Sequence, residues 1–246
     1  MYAKTSGLVL RVTPYQEADA ILNVLTQEQG LVTLRARGVR RNTSPLKSAC
    51  QLLAYSEFTV FENRGFRTIN EAVPLEMFMP LRAELEKLAL ASYCAQVAEV
   101  LSQEDAPESG ILPLTLNTFY ALCRMQLPNA QVKAVFELRA MCVSGFAPDL
   151  LGCAACGNET PDRFDVSEGC LLCASCRGGS GIRMPLGPGA LAAMRYIASC
   201  EAKKIFSFRL DAAALEQLAD LAEAYLITKL ERGFSTLDFY KSLLIL

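Results

Sequence analysis

The chain has 246 residues, 52% of them hydrophobic, with 24 Lys/Arg against 26 Asp/Glu, ten cysteines and no histidine. That suffices for a globular core and more than one domain. No apolar run reaches the roughly 20 residues of a bilayer span, and Met1-Tyr2-Ala3-Lys4-Thr5-Ser6 does not read as a signal peptide, so a cytoplasmic location is expected. The missing histidine excludes Ser-His-Asp and Cys-His arrangements, which points away from an enzyme. The net charge of −2 hides an asymmetry. Residues 1–70 carry nine Lys/Arg against five Asp/Glu, a local +4 that leaves −6 for the rest, and such an excess hints at a polyanion-binding surface.

Residues 1–75 read as β. Ser6 to Thr13 is a strand broken by Pro14-Tyr15-Gln16, and Ala20 to Thr26 is a second, followed by a turn at Gln27 to Gly30. Leu31 to Arg37 is a third, with Arg35 and Arg37 two apart on one face and Gly38 ending the run. Leu52 to Phe61 and Arg67 to Ala72 complete five strands around a hairpin turn at Asn63-Arg64-Gly65. Five short strands in this length fit a small closed barrel such as an OB-fold.

From Pro80 the period changes to about 3.6. Leu81, Leu85, Leu88, Tyr93, Val97 and Val100 form a stripe on one long helix. After a loop at Gln103 to Gly110, helices are expected over Leu112 to Met125 and Val132 to Val143, the latter ended by Gly145 and Pro148. Helices resume at Gly189 to Cys200 and after Asp211, a candidate N-cap, through Leu230. Leu215, Leu218, Leu221, Tyr225 and Leu226 are expected on the buried side of that helix. Ser235-Thr236-Leu237-Asp238 resembles a capping box for a closing helix running to Leu246. The expected class is therefore α+β: an OB-fold barrel over 1–78, then one helical domain over 79–149 and 183–246, interrupted by a cysteine-rich insertion over 150–182 that closes with Gly178-Gly179-Ser180-Gly181.

That insertion holds Cys153-Ala-Ala-Cys156 and, after sixteen residues, Cys173-Ala-Ser-Cys176. Two Cys-x-x-Cys knuckles at this separation supply four thiolates around one centre, which suits tetrahedral zinc; full cysteine ligation suits a structural metal, since a catalytic zinc keeps a position open for water. Cys170, three before Cys173, permits an overlapping register, but 173/176 gives the cleaner pair. A disulfide framework and a redox Cys-x-x-Cys are the competing readings. Cys50, Cys94, Cys123, Cys142 and Cys200 lie among apolar neighbours as small core residues.

The most informative functional stretch is Arg35 to Lys47. Arg35, Arg37, Arg40, Arg41 and Lys47 make five basic residues in thirteen, with no acid, on a strand end running into a loop. Flexible cations beside a β surface can track a phosphate backbone, although most charge runs are simply solvated. Tyr15, Phe58, Phe61 and Phe66 offer faces for base stacking, each also a candidate for the core.

Here the chain resembles a known family. Gly7-Leu-Val-Leu10, Tyr15-Gln-Glu-Ala-Asp19, Leu25-Thr26 with Gly30, and Arg37-Gly38-Val-Arg40-Arg41 resemble the N-terminal signature of the bacterial DNA repair family RecO. The likeness continues in Phe136-Glu-Leu-Arg139, Gly145-Phe-Ala-Pro148 and Cys153-Ala-Ala-Cys156-Gly157. Gly169-Cys170-Leu-Leu-Cys173-Ala-Ser-Cys176 departs from the family's Gly-Gly-x-x-Cys-x-x-Cys pattern by placing Cys170 where a second glycine is usual. The resemblance implies a recombination mediator, not an enzyme. Such a protein binds and anneals single- and double-stranded DNA, partners RecR and the tail of the single-stranded-DNA-binding protein, and helps load RecA on coated strands. It carries the DNA-binding role over to Arg35, Arg37, Arg40, Arg41 and Lys47. For the acidic tail of the coating protein, Arg124, Lys133 and Arg139 are candidate cations. A cysteine-dependent redox enzyme on Cys153/Cys156 and a scaffold that binds no DNA are the alternatives.

Overall fold

The computed structural model describes residues 2–63, 65–107, 110–176 and 181–245. The expected closing run at Gly178 to Ser180 and the turn residue Arg64 lie outside these, as does Leu246. By internal contacts the chain forms two units, Met1–Cys123 with Phe234–Leu246, and Arg124–Gly233.

Alternating hydrophobicity builds the first unit's barrel. Strands β1 (Tyr2–Tyr15), β2 (Asp19–Thr26), β3 (Gly30–Ala36), β4 (Tyr55–Asn63) and β5 (Phe66–Glu76) close in the order β1-β2-β3-β5-β4, an OB-like arrangement. β1 is shared: residues 2–8 pair with β4 and residues 7–15 with β2, around a bulge between Val9 and Arg11. From β1, Val9 joins Leu22, Val24, Val32, Leu34, Phe58 and Val60 in one core. β1 runs further than Pro14 was expected to allow. Pro14 pairs with Ala20 only, and the β4 side of β1 is unpaired there, so no ladder donor is missed. The break comes at Gln16, whose φ is 52°.

Four helices share this unit. α1 (Met79–Ala83) and α2 (Leu85–Leu101) are separate elements, divided at the extended Glu84, rather than one long helix. Leu85 is 59% exposed, so it leaves the expected stripe, while Ala89, Ala91, Ala95 and Ala98 are buried beside Tyr93 and Val97. Small residues thus give α2 a second buried side. α7 (Ser235–Leu243) packs on α2, with Tyr93 and Phe234 edge to face at 5.6 Å. Phe234 occupies the N-cap position of α7 and Ser235 is already helical, so the expected capping box is not formed. α3 (Ile111–Arg124) places Phe119 edge to face with Phe78 at 5.3 Å.

In the second unit, α4 (Asn129–Val143), α5 (Pro188–Ser199) and α6 (Ala212–Leu230) pack on one another. Asp211 caps α6 as expected, its Oδ1 accepting from the Ala214 amide at 2.8 Å; Leu218, Leu221, Tyr225 and Leu226 are buried and Leu215 half-buried. α4 is buried along nearly its whole circumference, charges included. Lys133 Nζ sits 2.9 Å from Glu137 Oε1 and 2.7 Å from Glu223 Oε2. Burial pushes the Lys133 ammonium down, but the two carboxylates outweigh it and hold it above its ordinary value. Lys133 is therefore spent inside the helix packing, and the Arg139 guanidinium donates to the Ile197 and Ala198 carbonyls at 2.8 Å each. Neither is a solvated cation awaiting an acidic tail; Arg124 alone of the three candidates is exposed.

The cysteine-rich segment forms a four-stranded sheet in the order β6-β8-β7-β9, from β6 (Asp149–Cys153), β7 (Arg163–Asp165), β8 (Cys170–Leu172) and β9 (Arg183–Pro185). Phe164 stacks edge to face with Tyr225 at 5.4 Å, tying this sheet to α6. Of the other cysteines, Cys50 and Cys94 are buried, and Cys123, Cys142 and Cys200 are half-buried. Burial pushes the Cys50 thiol up to about 12 and Cys142 to about 11, so both are inert.

Candidate nucleic-acid interface and metal centre

An open groove of about 1300 Å³ runs across the barrel, bounded by the ends of β1, β3, β4 and β5 and by the loop after β3. Four aromatic rings reach it with substantial exposure: Tyr2 (62%), Tyr15 (42%), Phe61 (38%) and Phe66 (77%). Tyr2 and Phe61 are cross-strand partners with ring centroids 5.0 Å apart. Phe58, expected as a fourth stacking face, is fully buried in the barrel core. Its parity decides this: Ser56, Phe58 and Val60 point inward, and Phe61 outward.

Arg35, Arg37 and Arg67 also line the groove. Arg35 is held from three sides. Its Nε and NH2 donate to Asp19 Oδ2 at 3.0 and 2.7 Å, NH2 reaches Gln16 Oε1 at 3.2 Å, and its guanidinium carbon lies 5.1 Å from the Tyr15 ring centre. Asp19 Oδ1 accepts the Gly38 amide at 2.8 Å. That backbone hydrogen bond, followed by the one from Arg35, holds the Asp19 carboxyl below its ordinary range. Arg67 is paired with Asp105 at 2.7 Å. Sequence reasoning passed over Tyr2 and Arg67. Tyr2 sits four residues before the first recognised strand residue, and Arg67 lacks basic neighbours in the described strand.

The basic loop is anchored rather than flexible. Gly38, at φ +65°, turns the chain. The Arg40 amide then donates to Ala18 O, and the Arg40 NH1 to the Gln16 and Glu17 carbonyls at 3.3 and 3.2 Å. Val39, Leu46, Ala49 and Cys50 are buried beneath it. Arg40, Arg41 and Lys47 are exposed on this frame, outside the groove lining. The five expected cations thus divide: Arg35 and Arg37 within the groove, the other three beside it.

In the second unit, the Sγ atoms of Cys153, Cys156, Cys173 and Cys176 all lie within 4.8 Å of one another, the only such group among the described residues. Cys170 is outside it. None of the ten cysteines is in a disulfide. The first knuckle is shaped by Gly157, at φ +74°, whose amide returns to Cys153 O at 2.8 Å. Amide and amide-like donors aim at the sulfurs: the Cys173 amide to Cys153 Sγ at 3.3 Å and Asn158 Nδ2 to Cys173 Sγ at 3.2 Å. Asp162 Oδ1 fixes the second knuckle through the Ala174 amide at 2.7 Å. Burial raises the Cys153 thiol, yet the Ala155, Cys156 and Cys173 amides and the Cys156 thiol bring it down to about 6. Cys176 is pushed up to about 12 by its neighbouring sulfurs, Cys156 first. A lone quartet of thiols resists full ionisation, and a cation at its centre removes that resistance. A tetrahedral metal with bonds of about 2.3 Å sets sulfurs about 3.8 Å apart, and Cys156 Sγ and Cys173 Sγ are 3.8 Å apart. These residues could hold a metal ion.

Comparison with known proteins decides the family. The family described as Recombination protein O N terminal matches residues 1–78, and Recombination protein O C terminal matches residues 82–238. The chain belongs to the RecO family. Similar proteins named DNA repair protein RecO occur in Acetivibrio thermocellus, 32% identical over 98% of this chain and 97% of that protein. Those of Alkaliphilus metalliredigens (28%, covering 99% and 100%) and Desulforudis audaxviator (32%, covering 98% and 96%) are similar across the same span. Membership of the RecO family supports a role in DNA repair and recombination. No helix among the described residues is long and apolar enough to cross a membrane.

Proposed function

We propose that the protein is a recombination mediator that binds and anneals DNA and helps load RecA onto single strands coated by the single-stranded-DNA-binding protein, acting with RecR. The observation that carries the DNA-binding part is the anchored basic face of the barrel, where Arg40, Arg41 and Lys47 stand beside an aromatic groove that Arg37 lines. Cations there displace counterions from phosphates, so affinity falls steeply with salt. Two strands held on one positive surface repel each other less and meet at raised effective concentration, which promotes annealing. None of these steps needs a catalytic group. The partners RecR, RecA and the acidic tail of the coating protein come from the family resemblance. We place the DNA-binding part at 1–78, helical segments at 79–149 and 183–246, and a structural zinc insertion at 150–182, with one zinc held by Cys153, Cys156, Cys173 and Cys176. The metal's contribution is folding free energy rather than DNA contact, because residues 150–182 carry Glu159, Asp162, Asp165 and Glu168 against only Arg163 and Arg177.

The test is strand annealing, with and without the coating protein, at two salt concentrations. Acceleration that fades at high salt is expected. Absence of acceleration in both conditions contradicts the proposal.

A further inference from the structure

The barrel's cations are of two electrostatic kinds, and the difference assigns them different parts of a nucleic acid. In the groove, Arg35 is paired with Asp19 and Arg67 with Asp105, each at 2.7 Å, while Arg37, where the groove meets the loop, forms no ion pair among the described residues and belongs with the loop cations. A guanidinium already paired with a carboxylate releases few counterions on meeting a phosphate, but any face that no ring covers and any remaining donors stay available; in Arg35 one face already lies over Tyr15. The same groove exposes Tyr2, Tyr15, Phe61 and Phe66 within one concavity. Beside the groove, Arg40, Arg41 and Lys47 form no ion pair among the described residues, and no aromatic ring stacks on them. They are suited to phosphate alone.

We infer that the groove is a base-reading site for unpaired nucleotides, in which Phe66, Phe61 and Tyr2 stack bases against arginines neutralised by Asp19 and Asp105, and that the Arg40–Lys47 loop is a separate phosphate-reading site. A single strand offers both bases and phosphates and engages both sites. A duplex hides its base faces and engages the loop. The occupant is fixed by complementarity: a row of exposed rings needs flat apolar partners, and the cations beside it need a regular anion chain. One strand in the groove with its complement's phosphates on the loop is also the juxtaposition that annealing requires. This inference rests on reading the barrel as a DNA-binding surface.

The test uses the full chain with three probes of equal phosphate number: a single strand, an abasic single strand and a duplex. Phe61→Ala/Phe66→Ala is expected to weaken the single strand by at least about tenfold, from stacking worth roughly 1–3 kcal/mol per base, and to leave the abasic strand and the duplex within about twofold. Arg40→Ala/Arg41→Ala/Lys47→Ala is expected to weaken all three together. Its log–log salt slope should fall by roughly two to three, at about 0.7–0.9 per phosphate contact. The chain has no tryptophan, so Phe66→Trp adds a single reporter at a largely exposed position. Its fluorescence should change with the base-bearing strand and not with the abasic one. Equal losses on all three probes from the aromatic variant, or an equal tryptophan response to the abasic strand, overturn the division while leaving DNA binding intact. Binding of none of the probes by the unaltered protein overturns the underlying reading instead.

Discussion

The barrel face and the cysteine sheet both gather residues that repel or crowd one another, but they resolve the conflict differently. On the barrel, Arg35 and Arg67 are each quieted by a carboxylate, while Arg37, Arg40, Arg41 and Lys47 remain a positive surface on a hydrogen-bonded loop. Such a surface can exchange partners with an outside polyanion. In the cysteine sheet, four sulfurs converge with their donors already in place, and further ionisation of Cys176 is opposed by the other thiols. That arrangement could hold a metal ion, the resident zinc of our proposal. The lesson is that accessibility and pairing, more than residue count, separate a binding surface from a structural clamp.

This contrast can be broken most forcefully at the clamp. Cys153→Ser, or treatment with a chelator, is expected to destabilise the second unit by several kcal/mol, because the zinc we propose there would contribute its binding to folding. Thermal unfolding with and without zinc checks it; an unchanged melting temperature would remove the structural role. Next in size is the buried cluster of α4. Glu137→Gln leaves Lys133 with Glu223 alone among its two carboxylates and should cost about 3 kcal/mol, readable as a drop in the denaturant midpoint. The barrel's own response is smaller and functional. Arg37→Ala/Arg40→Ala/Arg41→Ala should lower DNA affinity at least tenfold with a small drop in melting temperature, since Arg37 and Arg41 are exposed and only Arg40 gives up side-chain hydrogen bonds, to the Gln16 and Glu17 carbonyls.

The smallest expected effect is on acidity. The Asp19 carboxyl ionises more readily folded than unfolded, so its contribution to stability is present above its ordinary value of 3.8 and is lost as pH falls through the lower folded value. Acid titration should release Arg35 and the Gly38 amide only below about pH 4. Asp19→Asn should remove this part of the acid transition; an unaltered transition in that variant would show that Asp19 does not set it.

Much of this was legible in the chain because its signals were local and periodic. Alternation over Ala20–Thr26 and the two-residue gaps in both knuckles each translate directly into geometry. Asp211 could be recognised because a cap acts within one turn. What escaped depended on distant partners. Nothing near Arg35 in sequence announces Asp19, sixteen residues earlier, and nothing near Arg67 announces Asp105. The α2 stripe misled because alanines are too small to mark a face, yet Ala89, Ala91, Ala95 and Ala98 are buried. Phe58 was different: the alternation of β4 already carried its inward parity.

The central claim is that the DNA chemistry belongs to the barrel and the metal chemistry to folding. The most direct measurement is the salt dependence of single-strand binding, per folded molecule, for the unaltered protein, for Arg37→Ala/Arg40→Ala/Arg41→Ala and for Cys153→Ser. The arginine variant should show lower affinity and a slope shallower by roughly two to three, while folded Cys153→Ser keeps both. A folded Cys153→Ser protein that loses DNA binding, beside an arginine variant that retains it, would contradict the account.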